Sequence, residues 1–318
     1  GNTSGDIACY EVPTQKRLWS KSFHSSSYNM NFCSGGGVLG LVKSPDPYCF
    51  YSFGGDGAVN RIGLLSGEIL SRFHTDSVYH PPKYFSYKIV SLSVSFNGAL
   101  VACLTNRGAD EDAMLLLNAG TLDLVQSFRD PSGELKSLCF LPSGQWIASD
   151  GAHALSIWDQ TAGCILTNSV DMEVSGLRVC SDGTILACNN AGVVTCLDST
   201  GHVKSTLALA HGAFRGLQVG NSDFGIASFD EVIVFDTRAP GHARVISGGG
   251  SAISVSGAFA ATTSGVFALS VKDNLDYILC GVETYQETDS QNKRFTSAIH
   301  AGYAALERRD LRQAQEQL

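Results

Sequence analysis

Eight histidines and ten cysteines are the side chains of this 318-residue chain best suited to hold a metal or attack a carbonyl. The histidines stand at 24, 74, 80, 153, 202, 211, 242 and 300 without metal-ligand spacing; His74 and His80 share a loop, with no cysteine near them to complete a zinc site. The cysteines, at 9, 33, 49, 103, 139, 164, 180, 188, 196 and 280, include no Cys-x-x-Cys pair. Most fall inside apolar segments, the pattern of buried reduced thiols in a reducing compartment. There is no His-Glu-x-x-His, no Gly-x-Ser-x-Gly and no phosphate loop ending in Gly-Lys-Ser/Thr. The triple glycines at 35–37 and 248–250 lack the strand-to-helix setting of a nucleotide loop and read as tight turns. No catalytic residue, metal or cofactor is expected.

The remaining candidates are residues of recognition. The connection over residues 74–88 is long for a compact domain and carries Tyr79, His80 and Tyr84. Asp110, Glu111 and Asp112 make an acidic hairpin tip, where an insertion disturbs no buried backbone. Arg238 follows the apolar run 233–235 at a strand end, where its planar fork suits a carboxylate or a carbonyl. Phe295, Ile299, Tyr303 and Leu306 are spaced four, four and three, which places them on one face of a C-terminal helix. That helix either packs on the rest of the chain or contacts a partner; Leu311, Ala314 and Leu318 are too few for a coiled coil.

Composition narrows the partners. A net charge of −8 and a pI near 5.4 argue against a direct nucleic-acid surface, beyond a local basic patch. No run of about 18 apolar residues and no signal-peptide pattern is present, so an intracellular protein, cytoplasmic or nuclear, is expected. The start at Gly-Asn-Thr-Ser, without Met, suggests an upstream segment.

The elements that position these residues are clearest over 135–168. There LKSLCF, QWIAS, ALSIWD and CILTN are separated by Pro-Ser-Gly, Ser-Asp-Gly and Asp-Gln-Thr-Ala-Gly turns, an antiparallel meander. The Pro-Ser-Gly turn, the Ala-Ser-Asp-Gly end and Ile157-Trp158-Asp159 resemble one WD repeat. Turns ending at 47, 98, 144, 183 and 223 recur 39 to 51 residues apart, around the WD-repeat period. Repeats follow at 38–73, 89–128 and 174–207, then at 214–246 and, more weakly, beyond 250. Leu197-Asp198 and Phe235-Asp236 stand where Trp158-Asp159 does. Residues 6–23 supply only the last two strands of a repeat, so either residues near 275–283 or a missing N-terminal segment is expected to complete that sheet. The expectation is an all-β, most simply seven-bladed β-propeller over residues 1–285 (six or eight blades being the alternatives), then a polar, amphipathic helical tail over 286–318.

The resemblance implies a non-catalytic interaction scaffold, a subunit of a multiprotein or ribonucleoprotein assembly. In that family a Gly-His pair, a turn Asp, a Ser/Thr and the Trp bond to one another within a blade; His211-Gly212 and Asp230 are similar to two of these elements. Phe235-Asp236-Thr237-Arg238 is similar to the Trp-Asp-x-Arg ending that docks a cullin ubiquitin ligase adaptor, which makes a substrate receptor the alternative role. A propeller enzyme is the third reading. It would need polar groups converging on the central channel, and the first strands open with Val38, Ile89, Leu135, Val174 and Phe214.

Overall fold

Short apolar runs broken by Gly, Pro, Ser and Asp can satisfy their backbones only by pairing with near neighbours in sequence. The computed structural model shows this pairing. It describes residues 4–11, 16–25, 37–79, 87–106, 112–129, 135–150, 153–170, 172–189 and 193–208, followed by the strands over 216–283. β1 (Asp6–Tyr10) and β2 (Arg17–Ser22) form a two-stranded sheet. Next come β3 (Val38–Lys43), β4 (Cys49–Gly54), β5 (Ala58–Gly63) and β6 (Ile69–His74), then β7 (Ile89–Val94), β8 (Leu100–Thr105), β9 (Asp112–Asn118) and β10 (Leu124–Arg129). The third group is β11 (Ser137–Phe140), β12 (Trp146–Ser149), β13 (Ala154–Asp159) and β14 (Gly163–Ser169); the fourth is β15 (Gly176–Val179), β16 (Ile185–Cys188), β17 (Val193–Leu197) and β18 (Val203–Ala208). Two further groups are β19 (Gly216–Val219), β20 (Phe224–Ser228), β21 (Val232–Asp236) and β22 (Ala243–Ile246), and β23 (Ser254–Ser256), β24 (Phe259–Thr262), β25 (Gly265–Lys272) and β26 (Asp276–Glu283). Each group of four is one antiparallel meander in sequence order.

The chain divides into two compact units, one holding β3 to β18 with most of β1 and β2, the other β19 to β26. In the first, the leading strands β3, β7, β11 and β15 neighbour one another in turn, and each sheet packs face to face on the next. The cores lie between sheets. Tyr51, Phe53 and Val59 meet Leu92, Val101 and Leu115; Leu104, Leu116 and Phe128 meet Leu138, Trp146 and Trp158; Ile147, Leu155 and Ile157 meet Leu177, Ile185 and Leu197. Each fully buried Leu, Ile or Phe contributes roughly 1.5–3 kcal/mol. Polar bonds fix the spacing: Tyr51 donates to the Ala119 carbonyl at 2.7 Å, and the Ser91 and Ser93 hydroxyls accept the Leu138 and Phe140 N–H groups, which no strand of their own sheet takes. In the second unit, β19 and β23 are likewise neighbours.

Two recurrent turns explain the sequence pattern. Between first and second strands, Gly98, Gly144 and Gly183 hold φ of 70°, 91° and 85°, a conformation that disfavours any Cβ. Ahead of them, the side chains of Asn97, Ser143 and Asp182 accept the N–H two residues on. Between third and fourth strands, Asn118, Asp159 and Asp198 each cap the turn: Asp159 Oδ1 accepts from Thr161 and Ala162, and Asp198 Oδ1 from Thr200 and His202. These bonds, with the Thr200 hydroxyl foremost, hold the Asp198 carboxyl down at about 2. The Asp of Trp158-Asp159 is thus a turn cap.

Residues 276–283 are the fourth strand of their own sheet, paired with β25 from Asp276 to Glu283. The tail over 286–318 lies outside the described residues.

Candidate functional site

One cluster among the described residues has the connectivity of a nucleophile relay. Ser52 lies on β4, Asp56 in the turn that follows, Asn60 on β5, and His24 just past the end of β2. Two glycines shape it. Gly57, at φ 77°, closes the turn, and Gly54 admits the imidazole, since a Cβ there would lie 2.3 Å from His24 Nδ1. His24 Nδ1 is 2.9 Å from Asp56 Oδ1 and Nε2 is 2.9 Å from Ser52 Oγ. The carboxylate only accepts, so Nδ1–H donates to it. Asp56 also accepts from the Ser25 and Ala58 N–H groups. Burial pushes its carboxyl up, but the bonds from His24, Ser25 and Ala58 and the charge interaction with His24 outweigh it and leave the group below the usual carboxylate range.

This Ser–His–Asp chain cannot act on a substrate from where it sits. Ser52 and Asn60 are wholly buried and His24 and Asp56 nearly so, with Ser52 Oγ further engaged by the Asn60 amide at 3.4 Å. A nucleophile must reach a carbonyl, and this hydroxyl has no opening to one. What the cluster does is fasten the end of β2 to the inner turn of the next sheet. In the β11–β14 sheet the tryptophan plays a related part, Trp158 Nε1 donating to Ser156 Oγ at 2.7 Å. Ile62 occupies the matching place on β5 and has no N–H to offer; Asn60, two residues earlier, supplies it. Asn60 Oδ1 finds no hydrogen-bond partner among the described residues.

Among the described residues, several exposed apolar side chains stand on the turns of two neighbouring sheets. Tyr48, between β3 and β4, is 74% exposed; Leu65, between β5 and β6, is 71% exposed, with Leu64 beside it at 38%; and Phe96, between β7 and β8, is 45% exposed. The turns are held together. The Leu64 N–H donates to the Tyr48 carbonyl at 2.8 Å, Trp19 Nε1 donates to the Leu64 carbonyl at 2.9 Å, and Gly98 packs so closely on Pro45 that a Cβ would lie 3.3 Å away. Asp46 Oδ1 accepts the Tyr48 N–H, and its other oxygen takes Arg61 at 3.0 Å. The Tyr48 bond leads the effects that lower the Asp46 carboxyl, so the turn stays capped at neutral pH. Apolar side chains are therefore displayed on a rigid backbone, the property that lets a surface bind without large ordering losses.

Of the residues singled out for recognition, Tyr79 and Asp112 lie among the described ones. Tyr79 is buried in the core between the β3–β6 and β7–β10 sheets, its ring edge-on to Tyr87 at 5.6 Å. The start of the 74–88 connection is thus anchored inward, with Thr75 donating to the Tyr87 carbonyl. Asp112 opens β9 opposite Arg129 in register. His80, Tyr84, Asp110, Glu111, Arg238, Phe295, Ile299, Tyr303 and Leu306 lie outside the described residues, as do His211 and Asp230. Sequence reasoning missed His24, Ser52, Asp56 and Asn60; the available signal was two polar residues, Ser52 and Asn60, inside otherwise apolar strands flanking a Gly-Gly-Asp-Gly turn. Among the described residues no group of His, Cys, Asp and Glu could hold a metal ion, and no helix is long and apolar enough to cross a membrane.

No family model matches the chain, and no curated protein matches it. By contrast, 1572 solved chains resemble it in structure, so the architecture is a common one and does not by itself select a role. One is the structure of U3-55K, with a TM-score of 0.60 and 15% identity over 77% of this chain and 80% of that one. At that identity the likeness is one of fold. The chain is a β-propeller of four-stranded antiparallel blades.

Proposed function

We propose that this propeller is a non-catalytic scaffold, a subunit of a larger multiprotein or ribonucleoprotein assembly, that docks another protein on the face carrying Tyr48, Leu65 and Phe96. The exposure of these three side chains carries the reading, Tyr48 and Leu65 on turns joined by the Leu64–Tyr48 bond and Phe96 on the turn that packs on Pro45. Scattered surface leucines need no explanation, whereas a joined aromatic and aliphatic patch is the usual mark of a contact surface. The closed state of the Ser52–His24–Asp56 chain supports a role without catalysis. Eight of the ten cysteines are free thiols, and burial pushes Cys103 and Cys188 upward into an inert range, in keeping with a reducing cytoplasm or nucleus. Protein rather than nucleic acid is the direct partner, in line with the net charge of −8.

The test is affinity purification with quantitative mass spectrometry of the wild type and a Tyr48→Ser, Leu65→Ser, Phe96→Ser variant from the same cells. All three side chains are solvent-facing, so the variant is expected to keep its melting temperature to within about 2 °C while losing a defined set of co-purifying proteins by tenfold or more. An unchanged set would remove this face from the account.

A further inference from the structure

Tyr48, Leu65 and Phe96 stand at an end of their sheets that is rich in carboxylates. In an antiparallel meander the turn after the first strand and the turn after the third lie at one end of the sheet. In each of the four sheets from β3 to β18 these two turns meet. The Leu64 N–H donates to the Tyr48 carbonyl and the Ala119 N–H to the Ala99 carbonyl; the Asp159 carboxylate bonds the Gln145 side chain; and a Cβ at Gly183 would lie 3.7 Å from Ser199. Neighbouring sheets present these ends together. Gly98 packs on Pro45 and Gly183 on Pro142, while Ser91 and Ser93 of β7 accept the Leu138 and Phe140 N–H groups in step, so β7 and β11 run parallel.

These turns, with the strand residues that abut them, hold Asp46, Glu68, Asp123, Asp159, Asp182 and Asp198, against a single Lys or Arg, Lys43. Lys21 and Lys204 come from neighbouring strands, Lys21 donating to the Ser66 carbonyl at 3.1 Å. Arg61 takes Asp46 at 3.0 Å. Among the described residues no other of these carboxylates pairs with Lys or Arg, and Asp198 faces the His202 imidazole at 3.8 Å. Bonds led by the Thr161 and Thr200 hydroxyls lower the Asp159 and Asp198 carboxyls, so both are charged at neutral pH. At the opposite ends of the same sheets the signs mix, with Lys88, Arg129 and Lys136 beside Asp76, Asp150 and Glu173.

We infer that the segment seated on Tyr48, Leu65 and Phe96 belongs to a basic protein: it sets an apolar anchor against those three side chains and carries Lys or Arg toward the turns of Asp159, Asp182 and Asp198. Burial of the anchor supplies affinity, and the carboxylates speed and orient the encounter. An acidic segment, or a nucleic acid, would bring like charge onto carboxylates that no cation offsets. The acceptors are also fixed in advance, since N–H groups of their own turns hold Asp159, Asp182 and Asp198 in place. The inference rests on the docking reading above and names the chemistry of its partner.

The chain itself supplies the substitution that tests this. Asn97 and Asn118 cap the corresponding turns of the β7–β10 sheet as the aspartates do. Asp159→Asn, Asp182→Asn and Asp198→Asn together therefore remove charge and keep the caps, and the full chain is expected to retain its circular dichroism spectrum. Asp123→Asn with Glu68→Gln, at exposed side chains, is the second variant and is expected to act in the same direction. Three probes are compared: a synthetic peptide with a leucine core flanked by lysines, the same core flanked by glutamates, and a single-stranded RNA oligonucleotide. The lysine peptide is expected to bind the wild type at least tenfold more tightly than either of the others. It is expected to associate with the asparagine variant at least fivefold more slowly, with little change in dissociation, and to lose that difference at high salt. From the Tyr48→Ser, Leu65→Ser, Phe96→Ser variant it is expected to dissociate faster. No binding of the lysine peptide, equal or tighter binding of the glutamate peptide or the RNA, association with both charge variants as fast as with the wild type, or unchanged release from the serine variant would overturn the inference. If the serine variant loses its co-purifying proteins and the asparagine variant keeps them all, the docking face stands and its basic partner falls; if both keep them, the docking reading falls as well.

Discussion

His24, Ser52, Asp56 and Asn60 show how a cluster with the parts of a hydrolase becomes a fastening. Position decides it: the same Nδ1–carboxylate and Nε2–hydroxyl distances that would activate a serine at a cleft only stiffen a junction when the hydroxyl is sealed. Replacing Asp56 by Ala leaves the His24 imidazole and two N–H groups buried without their acceptor and is expected to cost about 3 kcal/mol in chemical unfolding. Asp56→Asn is expected to flatten the acid limb of the stability curve. The sign follows from the lowered carboxyl: the folded form binds its proton less readily than the unfolded one. The stabilisation is complete above about pH 4 and is lost as pH falls through the lower folded value. A midpoint that falls below pH 4 equally in wild type and Asp56→Asn would show that other carboxylates dominate. This cluster was hard to read in the sequence because its members lie 28 to 36 residues from His24 and none forms a motif with its neighbours. The tryptophan that marks the best repeat is replaced here by Ile62, and an asparagine two residues away does its polar work.

At the scale of elements the turns carried most of the legible information. A Gly after Asn, Ser or Asp recurs because one residue per turn must sit at positive φ, so the repeats are legible from the turns alone. Gly144→Ala meets nothing within 4 Å, so its cost is the backbone alone, about 1 kcal/mol. Gly98→Ala adds the contact with Pro45 and is expected to cost more; equal melting temperatures for the two would contradict that reading. Leu122 holds φ 62° without being glycine, and its side chain, buried among Tyr51, Leu92 and Leu115, offsets the strain. A buried side chain in a turn leaves no local pattern, so nothing in the sequence pointed to it. The same limit applies to β3. Leu41 and Leu138 look alike in sequence, yet Leu138→Ala is expected to cost about 3 kcal/mol and Leu41→Ala under about 1 kcal/mol, because Leu41 is 48% exposed and Leu138 1%. Comparable losses in thermal unfolding would contradict that difference.

For the whole molecule, the repeat pattern gave the architecture and said little of its use. Strand order follows from turns adjacent in sequence; a surface patch is assembled from turns 17 to 48 residues apart, and Tyr48, Leu65 and Phe96 have no shared pattern that marks them as neighbours. Their proximity depends on the Leu64–Tyr48 bond and on the contact of Gly98 with Pro45. The Tyr79 loop, prominent in the sequence for its aromatic content, instead begins by inserting into the core. The scaffold account requires that the 33.7 kDa chain work as part of something larger, and its size in a native extract is the most direct measurement. The endogenously tagged protein is expected to elute from a sizing column well above monomer mass, and the Tyr48→Ser, Leu65→Ser, Phe96→Ser variant to shift toward the monomer. A wild-type protein that elutes as a monomer at physiological salt, with the variant unchanged beside it, would contradict the account.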